Sequence, residues 1–180
     1  MFIGKELKEN NIAEYLLYMW QVEDLIRAYE GDIDRLREGY LKKFNLDEPQ
    51  EREQEQWYAD RIDMMRQEGV MQSGHLQVNK NVEQTLSELH LMILKSGKYP
   101  FYTAAYYKTL PYIVELRSRS GKKEVTEVET CFDALYGVMM LRLQGKPVHH
   151  DTVVAMQEIT KLMGMLADYY KKDKAGELEF

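Results

Sequence analysis

Apolar residues recur along most of this chain at intervals of three and four positions. Because an α-helix has 3.6 residues per turn, residues at these spacings fall on one face of a helix. Two such stripes are Val78, Val82, Leu86, Leu89 and Ile93, and Ala155, Ile159, Leu162, Leu166 and Tyr169. No segment alternates apolar and polar residues in the way a half-buried strand does. The pattern predicts an all-α protein.

Residues that typically begin or end helices divide the chain. Asn10 or Asn11, Asp32 and Asp47 can each cap a helix, and Thr126 opens a capping-box pattern. The helices predicted from these boundaries span about 11–29, 32–44, 47–69, 73–96, 101–108, 126–145 and 150–172. Short loops between helices favour antiparallel neighbours. The sequence therefore predicts an up-and-down bundle of six or seven helices with short loops, forming a single domain over residues 1–180.

Three segments refine this picture. The helix over 11–29 is apolar nearly all round, which is typical of a helix in the middle of a bundle. The third helix begins with the wholly polar run 50–56, so we expect its start to project into solvent. Pro111 leaves two alternatives, because it can kink one helix or follow Thr109 as the cap of a new helix ending near residue 120.

Composition and charge narrow the function classes. The net charge is −6, whereas a nucleic-acid-binding protein usually shows a basic face or domain. Nucleic acid is therefore an unlikely partner. The single cysteine, Cys131, lies in an apolar stretch and cannot form an internal disulfide. We expect a cytoplasmic protein, since paired cysteines and a signal peptide are both absent and no run of apolar residues is long enough to span a membrane.

The densest aromatic segment runs from Tyr99 to Tyr112, where six of fourteen residues are aromatic. A tyrosine ring can pack in a core while its hydroxyl finds a hydrogen-bond partner. In a core, Tyr102 and Tyr106 stack on one helix face. In the alternative, the segment lines a groove for a peptide or a ring-shaped ligand. The candidate groove residues are Tyr99, Tyr102, Tyr106, Tyr107 and Tyr112.

A polar pocket between the helices over 11–29 and 73–96 is a second candidate site. Glu14 and Asp24 are charges on a helix that we expect to be largely buried, and His90 lies on a polar face of the other helix. Carboxylates and an imidazole that meet in a cleft can perform general acid–base catalysis. In the alternative, these residues lie in solvent seams or pair with Arg27, Arg61 or Arg66. No metal-binding, nucleophile or nucleotide motif is present, and we expect no cofactor.

A short basic loop is the best anion site that the sequence offers. Arg117, Arg119, Lys122 and Lys123 surround Gly121 ahead of a predicted helix. The loop lacks the spacing of a phosphate-binding glycine motif. The ordinary interpretation of this basic segment is a surface loop exposed to solvent.

Two stretches carry a resemblance to a known family. They are residues 11–24, with the sequence NIAEYLLYMWQVED, and residues 99–112, which include the sequences YPFYTAAYY and LPY. The chain resembles a family of uncharacterised all-helical proteins of about 180 residues from Bacteroidetes-type bacteria, a domain of unknown function. The resemblance covers nearly the whole chain and implies a bacterial cytoplasmic protein. It implies no activity, cofactor or catalytic residue.

The sequence does not define a function. It favours a non-enzymatic helical binding or assembly module whose partner is a second copy of the chain, as a homodimer, or another protein. One alternative is an enzyme that uses the Glu14, Asp24 and His90 pocket. The other is weak anion or RNA contact through the 117–123 loop.

Overall fold

The computed structural model describes residues 2–121 and 124–180 and is all-helical over them. Its helices are α1 (Phe2–Asn10), α2 (Ile12–Ala28), α3 (Ile33–Gly39), a short 3-10 helix (Leu41–Phe44), α4 (Glu48–Gln67), α5 (Gln77–Ser96), α6 (Pro100–Ser120), α7 (Glu127–Leu143) and α8 (His150–Lys174). The all-α prediction is confirmed. The count is not, because the described residues form eight α-helices rather than six or seven.

One additional helix explains the count, and one predicted helix is divided in the structure. The additional helix, α1, is short and carries Gly4, so its sequence gives little helical signal; it is held by packing, and Gly4 is buried close to the Tyr18 ring. Asn11 ends α1 and caps α2, with its side chain accepting the Glu14 N–H. The segment predicted as one helix over 32–44 is divided at Tyr40 into α3 and the 3-10 helix.

The alternatives at Pro111 are settled in favour of one helix. α6 runs unbroken through Pro111, and the Thr109 hydroxyl donates to the Ala105 carbonyl instead of capping a new helix. Proline has no N–H to give the carbonyl four residues earlier. That carbonyl belongs to Tyr107 and lies on the exposed side of α6, where water can bond to it.

α2 joins two groups of buried side chains. Its first half, including Leu16 and Trp20, packs with α5, α6, α7 and α8. Its second half, including Val22 and Ile26, packs with α3, the 3-10 helix and α4. The broad apolar surface that the sequence shows on this helix is therefore used on both sides.

Residues 48–53 at the start of α4 are all exposed, as the polar run 50–56 suggested, but the helix packs against its neighbours from within that run. Gln54 is buried, and Glu55 forms an ion pair of 2.7 Å with Arg37 of α3. A polar sequence can pack against a neighbour when that neighbour supplies matching charges and hydrogen bonds. Here α3 and the 3-10 helix supply the neighbouring surface.

Candidate functional site

The aromatic segment divides between the inside and the outside of α6. Tyr102 is fully buried, and Tyr106 is half-buried beside it. Tyr99 is half-buried, and its hydroxyl bonds to the backbone of Glu179, donating to the carbonyl at 3.1 Å or accepting the N–H at 3.2 Å. Tyr107 points outward and is 64% exposed. The five candidate groove residues thus do not share one surface.

The outward side of α6 carries an unusual run of exposed apolar residues. Phe101 is 82% exposed, Tyr107 64% and Val114 58%. Ala104 and Pro111 lie between them and are also exposed. We call these five residues the α6 stripe. Their spacings of three, three, four and three place them along one face of the helix.

Tyr112 borders a different feature, an open cleft of about 600 Å³ between α6 and the start of α8. Arg119 lies on the same cleft, together with His149, His150 and Asp151. Tyr112, a candidate groove residue, and Arg119, a candidate anion-site residue, thus line the same cleft. Arg119 forms an ion pair with Glu115 on its own helix.

The other residues of the basic loop are placed as follows. Arg117 is half-buried and donates to the Val125 carbonyl and, at 3.3 Å, to the Thr130 hydroxyl. It therefore holds the start of α7 against α6. Lys122 and Lys123 lie outside the described residues. The anion site remains a prediction.

His90 belongs to a buried polar network between α5, α6 and α7. Its Nδ1 lies 2.7 Å from the Tyr102 hydroxyl, and its Nε2 lies 3.4 Å from the Glu127 carboxylate. Glu127 also accepts the Tyr106 hydroxyl at 3.2 Å. Burial lowers the pKa of the His90 imidazole below its usual range, and the nearby Glu127 opposes that shift. Burial also raises the pKa of Tyr106 to about 12, with Glu127 adding to the effect.

Glu14 and Asp24 do not join this network. Glu14 is exposed near the start of α2. Asp24 forms an ion pair of 2.8 Å with Arg27 and accepts the Tyr136 hydroxyl. The pairing with Arg27 is one that the sequence suggested as an alternative to a pocket. No hydrogen bond or ion pair between described residues links Glu14, Asp24 and His90 to one another.

The most completely buried charge in the described chain is one that the sequence analysis missed. Glu23 of α2 has no exposed surface. Its Oε1 accepts the Leu76 N–H at 2.9 Å and the Asn79 side-chain N–H at 2.6 Å, while its Oε2 lies 2.6 Å from His75 Nδ1. Spacing could have revealed it, because Glu23 follows Leu16, Met19 and Trp20 at intervals of three and four on the buried face of α2.

The Glu23 network holds the start of α5 against α2. α5 has no side-chain cap, so the carboxylate of Glu23 bonds the N–H of Leu76, the residue just before the helix. The His75 ring stacks on the Trp20 ring with centroids 4.3 Å apart. Arg27 donates to the carbonyls of Val70 and Gly74 and so fixes the loop that leads to His75. These contacts organise the junction between the two groups of buried side chains.

Residues 2–121 and 124–180 contain no group of three or more histidine, cysteine or carboxylate side chains that could hold a metal ion. None of their helices combines the length and the apolar character needed to cross a membrane.

The fold and these polar networks define an all-helical protein without a recognisable catalytic constellation among its described residues. Residues 1–177 match the sequence profile of a family described as a domain of unknown function (DUF4924), and the chain belongs to that family. The resemblance seen in the sequence is thereby confirmed at the level of a family of unknown function. No curated protein and no solved structure matches the chain.

Proposed function

We propose that this chain is a non-enzymatic assembly module of the bacterial cytoplasm that pairs with a second copy of itself through the α6 stripe. The exposure of Phe101, Tyr107 and Val114 carries the proposal. Large apolar side chains scattered singly over a surface are ordinary, whereas a contiguous run is typical of an interaction site.

The spacing of the α6 stripe suits a helical partner. Helices that pair along a seam place apolar residues at alternating intervals of three and four. Tyr107, Pro111 and Val114 follow this rule, and Ala104 continues it one turn earlier on the same face. From Phe101 to Val114 the stripe is about 20 Å long at 1.5 Å per residue. A second α6 offers a surface of the same length and character.

Charge favours an antiparallel pair. Lys108 and Glu115 flank the α6 stripe, three residues before and four residues after Pro111. In an antiparallel pairing centred near Pro111, the Lys108 of each copy faces the Glu115 of the other. Their present partners are Glu158 and Arg119, in ion pairs whose lysine and arginine are largely exposed. Such surface pairs contribute about 0–1 kcal/mol, so they can be shared or exchanged on assembly.

The experiment is analytical ultracentrifugation of the intact chain over a range of concentrations. We expect a dimer for the natural chain and a monomer for the double variant Tyr107→Glu, Val114→Glu, because a charge at each site would have to lose its hydration in the interface. The matched control is Leu143→Glu, since Leu143 is also 64% exposed but lies on α7. Circular dichroism should show the same helix content in all three proteins.

A natural chain that sediments as a monomer at every concentration would contradict the proposal. So would a Leu143→Glu variant that dissociates as readily as the double variant. The orientation is tested by Glu115→Lys, which should weaken the dimer, and by its combination with Lys108→Glu, which should restore it.

A further inference from the structure

A cleft of about 460 Å³ lies between α5 and the start of α7, on residues that the α6 stripe does not use. Its inner wall includes the stacked rings of Trp20 and His75. The polar residues along it include Asn79, Glu83, Ser87 and Thr126. Asn79, Glu83 and Ser87 are four residues apart in turn, so they line one face of α5.

Asn79 leaves a buried acceptor without a partner. Its side chain is fully buried, and its amide N–H donates to Glu23 Oε1 at 2.6 Å. A carboxylate oxygen accepts hydrogen bonds, so Asn79 presents its N–H to Glu23 and directs Oδ1 elsewhere. Among the described residues, Asn79 Oδ1 is the one buried side-chain polar atom that has no hydrogen-bond partner. Asn79 Oδ1 is closed to solvent in this structure, so a donor in the cleft reaches it only when a side chain beside it moves aside. An unpaired buried polar atom costs about 1–3 kcal/mol, and pairing it would favour that movement.

The charge of the cleft specifies the kind of donor. Three glutamates and one lysine line it. Glu83, one helical turn from Asn79, accepts the hydroxyls of Ser87 at 2.6 Å and Thr126 at 2.7 Å. In the described part of the chain, no lysine or arginine forms an ion pair with Glu83. An anion would be repelled here, whereas a cation with N–H groups would meet both a carboxylate and an amide oxygen.

From these observations we infer that the cleft binds a small organic cation of the aliphatic amine class. The ammonium group donates to Asn79 Oδ1 and to the Glu83 carboxylate. The aliphatic part lies against the Trp20 ring on the inner wall of the cleft. An ammonium group has three donors and no acceptor, which suits a site whose free groups are acceptors.

The test uses pentylamine as the probe and pentanol as its uncharged counterpart of equal chain length. Binding to the full chain is followed by calorimetry and by the two indole N–H signals in nuclear magnetic resonance spectra. We expect pentylamine to bind and to shift one indole signal, that of Trp20, while pentanol binds at least tenfold more weakly. The variant Trp57→Phe assigns the two signals, because Trp57 lies on α4 and does not line the cleft.

Glu83→Gln is the decisive variant. The amide oxygen still accepts from Ser87 and Thr126, so the fold is retained, while the charge that attracts the ammonium group is removed. We expect about tenfold weaker binding of pentylamine, equivalent to about 1.4 kcal/mol. The control Glu53→Gln removes an exposed charge from α4, outside both the cleft and the α6 stripe, and should leave binding unchanged.

Three results would overturn the inference: no binding of pentylamine at millimolar concentration, equal binding of pentanol, or unchanged binding in Glu83→Gln. Asn79→Leu provides a second readout of the same contact if the variant folds. The outcome is independent of the proposed dimer, because the cleft and the α6 stripe share no residue.

Discussion

The rings of Trp20 and His75 lie parallel, with centroids 4.3 Å apart and planes inclined by 15°. Trp20 belongs to α2, and His75 belongs to the loop before α5. Arg27 donates to the Val70 carbonyl in the same loop, and the His75 imidazole also contacts Glu23. The stack therefore connects a loop that is otherwise irregular to the central helix. It also places both rings on the wall of the α5–α7 cleft.

Replacing Glu23 should be the most destabilising single change at this junction. In Glu23→Leu the Leu76 N–H, the Asn79 amide and the His75 ring all lose their shared partner. Leaving buried donors unpaired in this way should lower the free energy of unfolding by about 3 kcal/mol. The measurement is the midpoint of urea unfolding.

The matched control is Glu14→Leu, the same substitution at an exposed position of the same helix. It should change the free energy of unfolding by less than about 0.5 kcal/mol, as surface substitutions usually do. Comparable losses in the two variants would show that the buried contacts of Glu23 do not stabilise the fold.

Local sequence signals predicted most helices of this protein because those helices carry their own caps. The side chains of Asn11, Asp32, Asp47 and Thr126 each accept the N–H of the residue three positions later. α5 shows the limit of such signals. Its predicted start at about residue 73 is four residues too early, because side chains from outside the helix hold its start. Glu23, more than fifty positions away, accepts the Leu76 N–H, and Glu68 accepts the Gln77 N–H.

The candidate sites were harder to predict for the same reason. A sequence shows that Glu14, Asp24 and His90 are polar residues on predicted helices, but the partners of Asp24 and His90 include Tyr136 and Glu127 on α7. Those pairings depend on which helices lie next to each other in the fold. Glu23 was missed because its partners lie more than fifty positions away, in the segment 75–79, and nothing near it in the sequence indicates them.

The buried imidazole of His90 should make stability depend on pH. Burial lowers the pKa of His90 in the folded chain below the value of about 6.5 that it has when unfolded. Below about pH 6.5 the unfolded chain therefore binds a proton that the folded chain does not, so this group reduces the free energy of unfolding as the pH falls. Above about pH 6.5 both states are neutral at this position and the effect vanishes.

The variant His90→Gln isolates this contribution. A glutamine can still bond to Tyr102 and Glu127 but cannot titrate. Urea unfolding between about pH 7 and pH 5 should show a smaller loss of stability in His90→Gln than in the natural chain. His150→Gln, at an exposed histidine, should follow the natural chain. Parallel pH profiles for all three proteins would contradict the assignment to His90.

The loop before α5 should loosen when Arg27 is shortened to lysine. The Arg27 guanidinium donates to Asp24, to the Val70 carbonyl at 2.9 Å and to the Gly74 carbonyl. A lysine carries one compact ammonium group and cannot reproduce this planar set of donors. Amide hydrogen exchange over residues 70–76 should therefore become faster, since opening this loop would cost less free energy.

The control Arg35→Lys alters an arginine whose side chain is 56% exposed and paired with Glu30, so exchange over 70–76 should not change. The Arg27→Lys variant should also bring the His75 ring out of its stack more often, which the indole N–H signal of Trp20 reports. If exchange over 70–76 in Arg27→Lys equals that of the natural chain, the stack of Trp20 and His75, together with the bond of Leu76 to Glu23, holds the loop without Arg27. In that case the Glu23→Leu variant, rather than Arg27→Lys, should release the same amides.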